Sequence, residues 1–223
     1  MKVITLMIIA ISISLSSWAE GPLTKELRQH KEKGSKKKPA EVKKIMTKAL
    51  TDLKATGIDT KTMKKAPVFS LNGKPFSKFY QEKPVILKFY RGHWCPYCQI
   101  ELKSYQSYKE KIEAKGYQII VITPDRQKYI DRFKKKMKVT LPIYSDKDNS
   151  IAKKFGITFK LSKDLSALYK KFGIDLKKSQ GNIEDELPLP GTYVINNKGV
   201  ITYAFIDADY TKRLDPEELL KHL

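Results

Sequence analysis

The sequence predicts an α/β domain: a central mixed β-sheet with helices on both faces and an extra helix at its N-terminal side. Three observations carry this. Two dense apolar runs, residues 85–90 (VILKFY) and 117–123 (YQIIVIT), read as strands buried on both faces, the pattern of parallel pairing. Helically spaced apolar residues follow each run: Ile100, Leu102, Tyr105 and Ile112 after the first, Tyr129, Ile130 and Phe133 after the second. Further on, residues 192–196 and 200–205 flank the turn Asn197-Lys198-Gly199 and form an antiparallel hairpin.

Residues 1–19 have the layout of a secretory leader. Lys2 supplies a positive start, residues 3–13 are mostly apolar and uncharged, and Ser17 and Ala19 fit the small-residue cleavage rule. The run is shorter than the roughly 20 residues that span a bilayer, and no cysteine near the cleavage point offers a lipid anchor. The expectation is export, cleavage after Ala19 and a soluble mature protein, periplasmic in location. Residues 20–38 are polar and include Gly34-Ser35-Lys36-Lys37-Lys38, so they read as a flexible basic lead-in. Pro39 opens a helix along which Val42, Ile45, Met46, Ala49, Leu50 and Leu53 recur, and Gly57 stops it. Residues 39–65 therefore form an N-terminal helical extension.

The main domain, residues 66–223, opens with a short strand over 67–71 and an Asn72-Gly73 turn. The strand 85–90 follows, then a helix from about 98 to 114, the strand 117–123 and a helix entered through Pro124-Asp125. A short strand over 141–144 and helical pieces around 151–155 and 161–172 come next. The hairpin and a last helix capped by Asp215-Pro216-Glu217 close the domain. The order β-α-β-α-β, an insertion, then β-β-α is the thioredoxin-like arrangement.

The chain has 223 residues, enough for a full core without covalent staples. Its two cysteines are thus not needed as a framework. The formal charge of +20, from 44 Lys and Arg against 24 Asp and Glu, invites a nucleic-acid reading. The excess is lysine spread along the chain, densest over 31–44 and without an aromatic-rich binding motif, which argues against nucleic acid. It reads mainly as a solvated face, with acidic partners, membrane surfaces or an acidic cell-surface layer as what it would attract.

The chemistry gathers at Arg91-Gly92-His93-Trp94-Cys95-Pro96-Tyr97-Cys98, between a buried strand and a helix. Cys-x-x-Cys in this context is a redox motif. A cysteine at a helix tip faces unpaired N–H groups and the positive end of the helix dipole, both of which favour thiolate. Cys95 is expected to attack substrate and Cys98, one turn inside, to resolve the intermediate. Pro96 suits the first helical position. Trp94 reads as a flat surface beside the sulfur, Arg91 as a source of positive field, and His93 as a loop residue whose imidazolium would support the thiolate. A structural disulfide would close too small a loop to stabilise much. A copper or zinc site remains an alternative, with His30, His93 and His222 to choose from, although zinc usually takes four ligands. Pro190, just before a buried strand, is expected to carry a cis bond that, with Gly191, presents backbone to a bound substrate chain.

FYRGHWCPYC, APVFSLNGKPFS and LPLPGTYVINNKGVITYAFIDADYTKRLDPEEL together resemble the peroxiredoxin-like branch of the alkyl hydroperoxide reductase/thiol-specific antioxidant family, over roughly residues 40–223. The resemblance implies a thioredoxin-like fold, thiol-based antioxidant chemistry, no cofactor beyond a redox-active Cys95–Cys98 disulfide, and a thioredoxin-like electron donor. It also places Arg91 at the family's active-site proline, Cys95 at its threonine, Cys98 at its peroxidatic cysteine and Pro190 at its distant arginine. Three of the four residues that hold peroxide in typical members are therefore replaced. The leading expectation is a thiol–disulfide oxidoreductase of peroxiredoxin-like type acting on thiol and disulfide proteins. The alternative within the class is a thiol peroxidase acting on hydrogen peroxide or organic hydroperoxides. Asp209, Tyr210 and Arg213 are further candidates for the lining of the site.

Overall fold

The computed structural model describes residues 20–58, 63–181 and 184–223. The predicted leader lies outside them. The described chain begins with helices α1 (Pro22–Lys36) and α2 (Ala40–Ala55). The small hairpin β1 (Ser70–Leu71) and β2 (Lys74–Pro75) turns at Asn72-Gly73 and enters α3 (Phe76–Glu82). Strand β3 (Val85–Phe89), helices α4 (Pro96–Ser107) and α5 (Lys109–Ala114), β4 (Gln118–Thr123), α6 (Gln127–Met137) and β5 (Ile143–Ser145) complete the alternating half. Then come α7 (Ser150–Lys154), β6 (Thr158–Lys160), α8 (Lys163–Lys171), α9 (Leu176–Gln180) and β7 (Glu186–Pro188). The chain closes with β8 (Gly191–Ile195), β9 (Ile201–Ile206), α10 (Pro216–Leu219) and a 3-10 turn, Leu220–His222.

The central sheet has the order β5-β4-β3-β8-β9. β3 and β4, and β4 and β5, are parallel, while β8 runs antiparallel to both β3 and β9. This is the mixed sheet predicted from the sequence. Side chains alternate across it. Val85, Leu87, Phe89, Ile120, Ile122, Tyr193 and Ile195 enter one apolar cluster with Phe76, Ile151 and Phe155. Ile86, Tyr90, Ile119, Val121 and Val194 enter the other, with both cysteines, Leu102, Tyr105 and Ile130. Lys88 falls on this second face, in register with Thr192 of β8.

Two regions differ from the sequence expectation. The lead-in expected to be flexible over residues 20–38 is instead α1, packed on α4. Leu23 and Leu27, one turn apart, are buried in the same cluster as Leu102, Leu214 and Leu219. The Asp215 carboxylate accepts hydrogen bonds from the amides of Leu23 (3.0 Å) and Thr24 (3.2 Å), so a residue far along the chain caps the helix start. The insertion also holds more order than its sequence suggested. β6 and β7 pair antiparallel, and Asp175 caps α9 by accepting from the Lys178 amide at 2.9 Å.

Candidate active site

Strand β3 leaves the sheet at Tyr90, and the loop 91–95 delivers Cys95 to the tip of α4, where it is the N-cap with Pro96 at the first helical position. Gly92 has φ +149°, and a β-carbon there would lie 2.5 Å from Trp94 Nε1 and 2.9 Å from Gln180 Nε2. Glycine is what lets the loop fold under the indole. The Gly92 carbonyl accepts from the Cys95 amide at 3.0 Å. Asp125, fully buried at the end of β4, pins the loop from the other side by accepting from the His93 amide at 2.6 Å, with His93 Nδ1 3.0 Å from its second oxygen. His93 also stacks on Tyr129. Its ring is thus held between Asp125 and Tyr129.

The sulfurs of Cys95 and Cys98 lie 2.8 Å apart, both as free thiols. Burial alone would raise the Cys95 thiol. The hydrogen bond from Cys98, together with the charges of Arg91 and Arg213, more than reverses this and brings it down to about 6. Cys98 shows the opposite balance. Burial, the hydrogen bond to Cys95 and the charge on that sulfur push its thiol well above the ordinary value. The pair is therefore poised with the outer sulfur as thiolate and the inner as the thiol that supports it.

Two buried arginines supply the field. Arg91 donates to the Tyr169 hydroxyl and lies over the rings of Tyr210 (4.2 Å), Trp94 (5.2 Å) and Tyr169 (5.7 Å). Its Nε and the Trp94 indole N–H are buried without a hydrogen-bond partner among the described residues. Arg213 places Nη2 3.5 Å from the Cys98 sulfur and Nε 2.8 Å from Glu101, and bonds the carbonyls of Tyr210 and Lys212. Beneath it, Glu101 pairs with Lys88 at 2.8 Å, and Lys88 donates to Thr192 Oγ1 at 2.7 Å and sits 3.5 Å above the Tyr105 ring. The sequence pointed to neither Lys88 nor Glu101. The available signals were a lone lysine inside an apolar strand and a carboxylate three residues after Cys98, on the same helix face.

A cleft of about 210 Å³ opens over Cys95, and its lining is mostly apolar. Trp94, Pro96, Tyr97 and Tyr210 line it with Arg91. Its far wall comes from α8 with Tyr169, and its near wall from α1 and α2 through His30, Gly34 and Met46. Trp94 is indeed a half-buried wall, edge-on to Tyr169. Asp209 lies beside the cleft, bonded to Lys31 of α1 and to Thr211. Pro190 and Gly191 do not line it. No cis peptide bond occurs among the described residues, so the cis bond expected at Pro190 is corrected. The reason is local. Leu189 donates to the Ile157 carbonyl at 2.7 Å, which prolongs the β6–β7 pairing and carries an extended chain directly into β8. Among the described residues no three His, Cys, Asp or Glu are grouped to hold a metal. His30 stands edge-on to Tyr97, and His222 stacks on Tyr203.

Residues 62–204, more than half of the chain, match a known family model, the AhpC/TSA family. The chain belongs to the AhpC/TSA family. Chloroplastic peroxiredoxin Q of Oryza sativa subsp. japonica is 27% identical over 158 residues, covering 69% of this chain and 60% of the relative. The corresponding protein of Triticum aestivum is 28% identical over 142 residues, covering 64% and 52%. The chain thus spans about half to three fifths of the length of these relatives. Among solved structures, reduced Prx3 from Vibrio vulnificus superposes with a TM-score of 0.55 at 17% identity, covering 72% of this chain and 94% of that one. A PrxQ cysteine-to-serine mutant from Xylella fastidiosa gives 0.54 at 18%, covering 72% and 95%. At these identities the superpositions establish the fold, which is the thioredoxin-like fold predicted.

Proposed function

We propose that this AhpC/TSA protein is a peroxiredoxin-type thiol peroxidase that cycles through a Cys95–Cys98 disulfide. One observation carries the reading. A thiolate held at about 6 lies at the floor of a narrow cleft, only 1% exposed, with a second thiol 2.8 Å away. A hydroperoxide fits such an opening more readily than a folded disulfide partner does. The Cys95 thiolate attacks the terminal peroxide oxygen and the O–O bond breaks. Water or an alcohol leaves once protonated, and Cys95 becomes a sulfenic acid. The Cys98 sulfur then attacks Cys95, the S–S bond forms, and the sulfenic oxygen leaves as water with the Cys98 proton. A thioredoxin-like dithiol returns two electrons by disulfide exchange. The exchange chemistry expected from the sequence is thus the recharging half of the cycle.

Arg91 is the counter-ion of the attacking thiolate. Its Nε and the Trp94 N–H, buried in the cleft wall without a hydrogen-bond partner among the described residues, are the nearest unpaired donors to that site. Cys98, fully buried, is the resolving residue, although the family places its peroxidatic cysteine there. Treating Cys98→Ser and Cys95→Ser with hydrogen peroxide and a sulfenic-acid trap decides between them. The first should be labelled at Cys95 and the second should not. Label on Cys95→Ser would reverse the roles. The leader pattern supports export and cleavage after Ala19, and N-terminal sequencing of the mature chain tests it. Among the described residues no helix is long and apolar enough to cross a membrane.

A further inference from the structure

Lys88 is an unusual residue for its position. It lies on β3, the middle strand of the sheet, and is 1% exposed. A lysine here loses its hydration, and burial pulls its ammonium below the ordinary range while Glu101 acts in the opposite direction. An apolar side chain would satisfy β3 equally well, because Ile86 and Tyr90, its neighbours on the same face, are both buried in an apolar cluster. What Lys88 touches is specific. Its Nζ reaches Glu101 Oε1 at 2.8 Å, and Glu101 Oε2 accepts from Arg213 Nε at 2.8 Å. The far end of that arginine is 3.5 Å from the Cys98 sulfur. Two cations share one carboxylate in a closed, water-poor site. Glu101 therefore cannot fully neutralise Arg213 while Lys88 is charged, and the surplus positive field falls on the sulfurs.

We propose that Lys88, acting through Glu101 and Arg213, is a positioning residue that sets how readily the Cys95–Cys98 pair gains and loses electrons. It touches neither sulfur by hydrogen bond and contributes no proton or electron to the cycle. It divides Glu101's charge, which leaves Arg213 free to stabilise the reduced, thiolate-bearing pair over the neutral disulfide. Other groups packed around it are the Thr192 hydroxyl of β8 and the Tyr105 ring of α4, both uncharged. The inference rests on the reading of Cys95 and Cys98 as a redox pair.

The sign of two substitutions separates this from a packing role. In Lys88→Met the carboxylate belongs to Arg213 alone. The Cys95 alkylation midpoint should rise by about one pH unit, and equilibrium with a reference dithiol should shift about tenfold towards the protein disulfide, roughly 30 mV more negative. In Glu101→Gln Arg213 is left without its anion, and both readouts should move the opposite way. Shifts in the same direction, or none, overturn the proposal. If either variant does not fold, the unmodified protein decides. The Lys88 side-chain NMR resonance should differ between dithiol and disulfide states and follow the Cys95 titration, and a resonance unchanged in both respects overturns it. If the wild type forms no reversible Cys95–Cys98 disulfide, the functional reading falls together with this one. If it cycles normally while the variants fail the sign test, this inference alone falls.

Discussion

Cys95 and Cys98 share a motif and a helix turn, yet their environments drive them apart. The consequence can be measured as a pH profile. Alkylation of Cys95 should rise through a midpoint of about 6 and be flat by pH 8, because the thiolate is the reactive form. In Arg91→Met the midpoint should move up by about one pH unit, and the peroxide rate near pH 6 should fall about fivefold. Stability follows the same linkage. The Cys95 thiol lies lower in the folded protein than the ordinary 9.0, so the contribution is fully present above about 9 and is lost as pH falls through about 6. Urea midpoints of the reduced protein should therefore rise across that window, and those of Cys95→Ser should not. The sequence disclosed the sulfurs because a strand, CPYC and a helix sit in register along the chain. It could not disclose their counter-ions. Arg91 is adjacent, but Arg213 meets Cys98 and Glu101 only through the fold, 115 and 112 positions away in sequence.

At the scale of elements, α1 shows where reading the chain fails. Its two buried leucines stand in a polar stretch containing Gly34, so there is no apolar stripe to recognise. What holds it is tertiary: a seat against α4, a Lys31–Asp209 ion pair at 3.0 Å, and the Asp215 carboxylate. That carboxylate also caps α10, accepting from the Glu217 amide at 3.0 Å. Asp215→Ala removes both caps and should cost about 1–3 kcal/mol in urea unfolding. Leu27→Ala should cost about 2–5 kcal/mol. Both should speed Cys95 alkylation at fixed pH, because the wall they loosen is the one that narrows the cleft. Unchanged alkylation alongside lost stability would show that α1 does not control access. By contrast β3, β4 and β8 were legible as apolar runs of buried strands, and the partly buried β9 through the short turn that joins it to β8.

For the molecule as a whole, the parallel pairing followed from the alternation of elements and the antiparallel closing pair from its short turn, whereas β6, β7 and α9 were not legible, being too short and too polar to show a period. The charge belongs at this scale too. With 44 Lys and Arg against 24 Asp and Glu, the chain carries an excess of 20 positive charges, and the folded state repels itself. Raising salt from about 10 to 150 mM shortens the screening length from about 30 to 8 Å. The melting midpoint should rise by about 2–4 °C, equivalent to about 1 kcal/mol. A fall would show that ion pairs outweigh the repulsion. The cleft over Cys95 has one further meaning. Its sulfurs and arginine floor come mainly from the stretch shared with the family, residues 62–204, whereas His30, Gly34 and Met46 of its near wall come from helices that precede that stretch. The near wall of the doorway is thus written in a separate length of chain from the chemistry. Exchanging residues 20–58 would retune which molecules enter while leaving the reacting atoms as they are, and this makes the protein a frame on which selectivity can be rewritten by grafting.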